Sequence, residues 1–368
     1  MKENFRKEKQ ISAKKKRKKK MISIIGSGPV GSYLASLLKD ETVIFEEHKE
    51  AGKPIQCTGI LTNEIHDLIK LDKKVIDNEI DYIRLNAGKE EYKFKLQNKE
   101  LIVNRHKFDN FLLEKAKENN VKIKYNSEFA DFKDNKVILK NGKSYDTNVL
   151  VGADGYKSLV AKKTGLWQNR EFWKGIQIRA EIKNLDKNVY DVYFDSCPDF
   201  FGWVVPENEK IARIGLGSFD NAGYYFNNFI KRFEIKKIIS SESGLIPIWK
   251  KIKLKKDNVY LVGDAGLQLK NISGGGIIPG MKAAKILANC LNNGKNYEKE
   301  IRGLNRELMF SDFIRKKLNK LNIERYEELL RLMKKVDLGK YNRDKPLNNL
   351  GMFMKPGLIK FGIKNFLF

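Results

Sequence analysis

The sequence predicts an α/β fold in which a dinucleotide-binding domain is interleaved with an antiparallel β-sheet domain and followed by a C-terminal helical segment. Three observations carry this. A glycine-rich turn, Gly26-Ser27-Gly28-Pro29-Val30-Gly31, joins a short apolar run to a helical pattern. Residues 175–253 alternate apolar and polar positions as strands do. Late in the chain, residues 258–277 supply a second strand followed by glycines.

The first apolar run, Ile22, Ile24 and Ile25, stops at Gly26, and Val30, Leu34, Leu37 and Leu38 follow at helical spacing. Strand, G-x-G-x-x-G and helix in that order make a Rossmann-like dinucleotide site. Gly26 permits the tight turn, Gly28 lets the backbone approach a pyrophosphate, and Gly31 lets helix and strand pack closely. The diphosphate then meets the free N–H groups of the first helical turn, around Pro29 and Val30, and the positive end of the helix dipole. Residues 42–46 are a second strand ending in an acid, Glu46, with Glu47 beside it. It lies about 20 residues after the first glycine, where a carboxylate accepts the ribose hydroxyl bonds of an adenosine. The motif alone does not separate FAD from NAD.

Gly52, Pro54 and Gly59 then constrain a loop that holds Cys57, a candidate redox or proton-handling group, or else small filler. Residues 60–81 read as helical, and 82–96 as a strand pair around Ala87-Gly88-Lys89. Residues 101–105 form a short strand entering a helix with Phe108, Phe111, Leu112 and Ala116 on one face. Strands are expected at 121–125 and 136–140, the latter closed by Asn141-Gly142. Residues 148–151 lead into Gly152-Ala153-Asp154-Gly155, and Ser158 starts or caps the next helix.

From about 175 to 253 the strands 176–180, 189–194 and 212–216 carry dense aromatics nearby: Trp173, Tyr190, Tyr193, Phe194, Phe200, Phe201 and Trp203. This reads as an antiparallel sheet with an aromatic-lined face, a substrate domain, although plain core accounts for most of the rings. The strand at 258–262 ends in Gly263-Asp264, and Gly274, Gly275 and Gly276 precede Ile277 at the start of a helix reaching about Cys290. Such glycines expose N–H groups to an anion or a polar ring edge. The expected division is a disordered basic tail at 1–20, the dinucleotide domain at 21–80, 99–170 and 254–295, the sheet domain at 81–98 and 171–253, and helices at 296–368.

A chain of 368 residues, 41% hydrophobic, with 14 Tyr and 21 Phe, can bury a large core and is not a disordered protein. Its net charge is +26, of which residues 1–20 hold nine and the rest seventeen. That balance favours an anionic partner, such as a phospholipid surface, a phosphorylated substrate, nucleic acid or an acidic redox protein, or else reflects lysine spread over solvated faces. Three cysteines, Cys57, Cys197 and Cys290, form no pair at metal spacing and fit a reducing compartment, here the cytoplasm. With only His48, His66 and His106, catalysis is not expected to rest on a His-rich metal site or a histidine triad. The basic tail has no apolar stretch of a secretory signal, and translation from Met21 would omit it. The final residues alternate Leu358, Ile359, Phe361, Ile363, Phe366 and Leu367 with Lys355, Lys360 and Lys364. This suits either a peripheral membrane interface at the inner face of the membrane or docking on the chain's own domain.

With these pieces in order, the chain resembles the geranylgeranyl reductase family, within flavoproteins of the para-hydroxybenzoate hydroxylase (GR2) fold. The marks are the first glycine motif with Glu46, Gly152-Ala153-Asp154-Gly155, and Val262-Gly263-Asp264-Ala265 with its glycine run. They cover roughly residues 21–295. The resemblance implies FAD, with Asp264 near its ribityl and diphosphate, Gly274 to Gly276 near the isoalloxazine, and Arg105 facing the cofactor. Lys53-Pro54-Ile55-Gln56-Cys57-Thr58-Gly59 looks like the active-site loop of these reductases, whose cysteine lies close to flavin and substrate. Residues 198–206, with Phe201, Trp203 and Pro206, look like the family's aromatic substrate motif, which usually has Tyr at the place of Phe201 and Phe at that of Val205.

The implied reaction is saturation of C=C bonds in geranylgeranyl chains of isoprenoid ether lipids or prenyl diphosphates. An unactivated alkene accepts hydride poorly, so the protein must orient the chain against the flavin, exclude water and supply a proton, for which Cys57 is the candidate. No second G-x-G-x-x-G follows a strand. Reducing equivalents would therefore come from transiently bound NAD(P)H, another reduced carrier or an acidic electron-transfer protein. The alternatives are a flavin monooxygenase of the same fold, and a non-catalytic protein that uses its basic surface on membrane or nucleic acid; nucleic acid is not the expected partner of the reductase.

Overall fold

The computed structural model describes residues 20–52 and 57–366, so nearly all of the basic tail and the loop residues Lys53, Pro54, Ile55 and Gln56 lie outside the described residues. β1 (Met21–Ile25) leads through the glycine turn to α1 (Pro29–Leu37), and β2 (Glu41–Phe45) returns beside β1. β3 (Ile60–Leu61), β4 (Ile76–Ala87) and β5 (Glu90–Val103) precede α2 (Arg105–Glu118) and β6 (Lys122–Lys124). A small meander, β7 (Phe129–Lys133), β8 (Lys136–Leu139) and β9 (Ser144–Asp146), leads to β10 (Val149–Gly152) and α3 (Leu159–Lys163). Then come β11 (Phe172–Ile182), β12 (Val189–Tyr193), β13 (Gly202–Pro206), β14 (Ile211–Ser218), α4 (Ala222–Ile230) and β15 (Ile235–Pro247). β16 (Lys255–Lys256), β17 (Val259–Leu261), α5 (Ile277–Asn293), α6 (Tyr297–Glu300), α7 (Arg302–Leu318), α8 (Ile323–Met333) and α9 (Pro356–Phe366) complete the chain.

The first sheet runs β16-β17-β10-β1-β2-β6 and is parallel except at β16. Its strands are near-continuous apolar runs because they are buried between α1, α2 and α5 and the β7–β9 meander, whose Tyr145 meets Phe45; Ile22, Ile24, Ile44, Leu150 and Val151 are all buried. Where these strands end, the chain stays tied together. Gly26 N donates to Phe45 O, Ala153 N to Ile25 O and Val262 N to Gly152 O. The carboxyl ends of β1, β2, β10 and β17 are thereby gathered in one place, the position where open parallel sheets bind ligands.

Close packing fixes that place. A Cβ on Gly31 would stand 2.2 Å from Gly26 O, and one on Gly26, whose φ is +101, would stand 2.5 Å from Ala153 O. Val30 wedges between Gly263 and Gly280, where added Cβ atoms would come within 3.2 and 2.6 Å of it. The start of α1 is thus joined to β17 and α5 from the far end of the sequence.

The second sheet has eight strands in the order β15-β11-β14-β13-β12-β4-β5-β3. It is antiparallel except for β12 and β4, which pair in parallel, so the expected all-antiparallel sheet is corrected at that one junction. The expected helix at 60–81 is also corrected. Its apolar residues Ile60, Leu61, Ile65, Leu68, Ile69 and Leu71 mimic a helical period. Instead Ile60 and Leu61 pair with Ile102 and Leu101, short 3₁₀ turns occupy Asn63–Asp67 and Lys73–Val75, and β4 begins at Ile76. Pairing partners 40 residues away override the local pattern. β4 and β5 also carry this sheet outside the 81–98 range expected for it.

One face of the second sheet holds Trp173, Tyr190, Phe201, Trp203 and Val205, and the other packs Ile178, Ala180, Val204, Ile214 and Leu216 against Phe226 and Phe229 of α4. The C-terminal helices return to this sheet, with Tyr326, Leu330 and Phe361 packed near Ala87. Among the described residues no helix is long and apolar enough to cross a membrane.

Gly31→Ala is expected to cost at least about 2 kcal/mol, since the methyl meets backbone that cannot move aside. A thermal midpoint equal to that of the wild type would contradict this.

Candidate functional site

The first half of the site is a cradle at the sheet's carboxyl edge. Gly28 differs from Gly26 and Gly31. A Cβ there would meet nothing within 4 Å, and its φ of −61 suits any residue. No protein atom needs Gly28 to be glycine; what needs it is something lying against the backbone. No side chain caps α1, and Pro29 occupies its first turn, where a missing N–H costs nothing. The first-turn N–H groups of α1 therefore face open space with the positive end of the helix dipole.

Glu46 follows β2 and is buried to 7% exposure. Ser27 donates to its Oε2 from N at 2.9 Å and from Oγ at 2.7 Å, while His48 N lies 3.0 Å and His48 Nδ1 2.8 Å from its Oε1. Burial pushes the carboxyl up, but the bonds from His48 and Ser27 outweigh it and hold Glu46 below the ordinary value. A ribose hydroxyl would take the place of one of these donors, and the His48 ring, with a half-exposed side chain, is the one free to swing away. Glu47 is exposed beside it.

Asp154, a cofactor candidate through the Gly152-Ala153-Asp154-Gly155 mark, has its carboxylate on the following helix, accepting from Ser158 Oγ at 2.7 Å and from Val160 N at 2.9 Å. Gly155 turns the chain there at φ +73. Asp264 is the contrasting case. Burial pushes its carboxyl up, Arg105 and Arg170 oppose that, and no described residue donates a hydrogen bond to it. A half-buried acid with free acceptors suits a polyhydroxyl chain. Arg170, which the sequence reading did not single out, holds this turn through Asp264 O and Ala265 O.

The second half is a cleft of about 1210 Å³, counting its open mouth, between the aromatic face of the second sheet and the segment 270–279. Its wall brings together Cys57, Gly59, Phe201, Trp203, Gly274 to Gly276 and Ile277. Gly263 lies behind this segment against Val30, and Arg105 stands beside Cys57, its guanidinium forked onto Asp109 at 3.0 and 2.9 Å. Cys57 Sγ accepts from Gly59 N at 3.3 Å. Pro206 is corrected: it does not line the cleft. Along β13, Phe201, Trp203 and Val205 share one face by strand alternation, which turns Pro206 to the other.

The floor is a rung across four strands. Glu242, Gln177, Gly215 and Trp203 are register partners on β15, β11, β14 and β13. The indole of Trp203 lies over Gly215, where a Cβ would come within 2.6 Å of the ring. Trp203 Nε1 and Thr58 Oγ1 both donate to Gln177 Oε1 at 3.0 Å, and Gln177 Nε2 donates to Glu242 Oε2 at 3.0 Å. Burial raises the Glu242 carboxyl above the ordinary value, against the Gln177 bond and the charge of Arg213. Two residues along, Gly175 and Gly244 leave the floor bare, while Phe200 and Phe201 stack at 4.1 Å beside it.

Two ion pairs close one side of the cleft. Lys270 reaches Asp344 at 2.6 Å, and Arg343 pairs with Glu100. Lys270 is buried and Arg343 partly so; removing one partner of a buried pair costs about 3–5 kcal/mol. Among the described residues Arg315 of α7 pairs with no carboxylate; it stacks over Phe200 and Phe201 and donates to Asn271 O and Ile272 O, holding the segment before Gly274.

The model of the FAD binding domain family matches residues 19–221. An uncharacterized protein of Methanocaldococcus jannaschii is 30% identical over 303 residues, 76% of each chain. The digeranylgeranylglycerophospholipid reductase of Methanosarcina acetivorans is 26% identical over 300 residues, covering 72% of this chain and 73% of the other. Among solved structures, a geranylgeranyl bacteriochlorophyll reductase-like protein of Thermoplasma acidophilum superposes with a TM-score of 0.80 at 20% identity, over 95% of this chain and 97% of that one.

Gly28→Ala separates binding from folding. Stability of the apoprotein should change by less than about 0.5 kcal/mol, while the dissociation constant for FAD rises at least tenfold. Unchanged FAD affinity would show that nothing lies against Gly28.

Proposed function

The chain belongs to the FAD-binding domain family and is a flavoprotein oxidoreductase, and we propose that it saturates C=C bonds of geranylgeranyl chains carried by ether lipids or prenyl diphosphates. The observation that supports this most is the cleft. A floor of two glycines, stacked phenylalanines and an indole meets the Gly274–Ile277 segment and Cys57 in one wall. A long apolar chain fits such a surface, and its allylic carbons would lie against whatever rests on the glycine segment.

The residues of the first half fit FAD. Gly28 and the α1 N-terminus would hold the diphosphate, Glu46 the adenosine ribose and Asp264 the ribityl chain. When bound, FAD supplies the hydride. The protein's own task is to bind the chain along the floor, exclude water with Phe200, Phe201 and Trp203, and place an exchangeable proton near the alkene. Cys57 is one group on this wall that carries such a proton. Electrons would arrive from NAD(P)H, another reduced carrier or an acidic redox protein attracted to the basic surface.

Delivery of a lipid substrate is served by the last helix. Phe361 is buried in the chain's own core, which leaves Ile359, Ile363 and Met354 exposed among Lys355, Lys360 and Lys364. Such a face suits peripheral contact with an anionic bilayer.

The direct test is anaerobic. Protein reduced with dithionite is mixed with a geranylgeranyl ether phospholipid or with geranylgeranyl diphosphate, and the product is weighed by mass spectrometry. Gains in steps of two hydrogens are expected. Neither substrate changing mass, with oxygen consumed alongside NAD(P)H in air, would move the assignment to a monooxygenase. For the membrane contact, replacing Ile359 and Ile363 by Glu should reduce co-sedimentation with anionic liposomes several-fold, while equal sedimentation would reject it.

A further inference from the structure

We infer that Glu242 is a catalytic residue of this cleft, giving its carboxyl proton to the alkene carbon opposite the one that receives hydride. The inference rests on the reductase reading and deepens it. Glu242 lines the cleft from β15, an edge strand of the second sheet, so one side of the side chain faces the floor and the strand's outer side faces solvent. Its Oε2 is fixed by Gln177 Nε2, and Gln177 is itself fixed by Trp203 and Thr58, the residue after Cys57. No described residue donates a hydrogen bond to Oε1. The glutamate is thus aimed by a chain of three side chains that runs the width of the floor and ends beside the active-site loop.

The chemistry favours a carboxylic acid. Protonating an isolated alkene carbon needs a stronger acid than an ordinary thiol, and a carboxyl is several pKa units stronger. The surroundings act in the same direction: burial raises this carboxyl above the ordinary value, against the Gln177 bond and the charges of Arg213 and Arg179, with Glu207 adding to the rise. In the step, the π bond breaks and two C–H bonds form. One takes hydride from reduced flavin; the other takes the Glu242 proton, whose O–H electron pair stays on the carboxylate. Solvent at the sheet edge returns the proton afterwards.

The test uses the FAD-loaded full chain with Glu242→Gln, which keeps the Gln177 contact and the shape of the floor. FAD content, chemical reduction of the flavin and the lipid-induced shift of flavin absorbance should match the wild type. Anaerobic reoxidation of reduced flavin by the geranylgeranyl lipid should slow by about 100-fold or more, and Glu242→Asp should recover part of it. In substrate-free protein, infrared difference spectra over a pH titration should show a carboxyl band, absent from Glu242→Gln, that titrates above the ordinary glutamate range. Reoxidation of Glu242→Gln at the wild-type rate, or no such band, overturns the assignment while leaving the reductase reading in place. Wild-type flavin that lipid never reoxidises overturns the reductase reading itself, and the proton role with it.

Discussion

The approach of Gly31 to the Gly26 carbonyl, closer than any side chain permits, sets the position of α1 on β1. From that contact the rest of the nucleotide side follows. Val30 is brought against Gly263 and Gly280, the first-turn N–H groups of α1 face the gathered strand ends, and Glu46 lies one strand away with Ser27 bonded to it. The space above Gly28 is what this packing leaves over. Its emptiness is a property of the scaffold's geometry, because each neighbour is held by a contact made elsewhere.

The substrate side is built on a different constraint. A sheet face normally carries side chains on every second residue, which would fill the volume beside the glycine segment. Here Gly175, Gly244 and Gly215 remove them in the middle of the floor, and the indole of Trp203 lies down across Gly215. One polar rung, Thr58–Gln177–Glu242, crosses this floor, with the ion pairs at the rim and Cys57, Tyr190 and Ser273 elsewhere in the wall. A largely apolar trough crossed by one hydrogen-bonded row follows from which strand positions lack a Cβ.

The glycine turn, Glu46 and the late Gly263–Asp264 strand were legible because each is a local pattern whose meaning survives without neighbours. Residues 60–81 were not, since their strand partners come from β5. The floor was hidden for a subtler reason. In residues 176–180 the alternation Ile-Gln-Ile-Arg-Ala marks Ile176 and Ile178 as core, as they are, and suggests that Gln177 and Arg179 face water; they face the cleft and the charged network beside it. Period two distinguishes two faces but does not say what covers the polar one. Pro206 entered through the resemblance to the aromatic motif, and strand alternation turns it to the face opposite Trp203.

Val30, Gly263 and Gly280 are neighbours in space and about 250 positions apart in sequence. During synthesis the glycine turn leaves the ribosome early, yet the surface that buttresses it does not exist until α5 has been made. Between those moments the nascent chain carries an unfinished parallel sheet with an exposed β10 edge, the kind of species that chaperones recognise. Cofactor capture is consequently tied to the end of translation, and a chain interrupted before residue 293 would be left without a closed cradle however well its first hundred residues had folded.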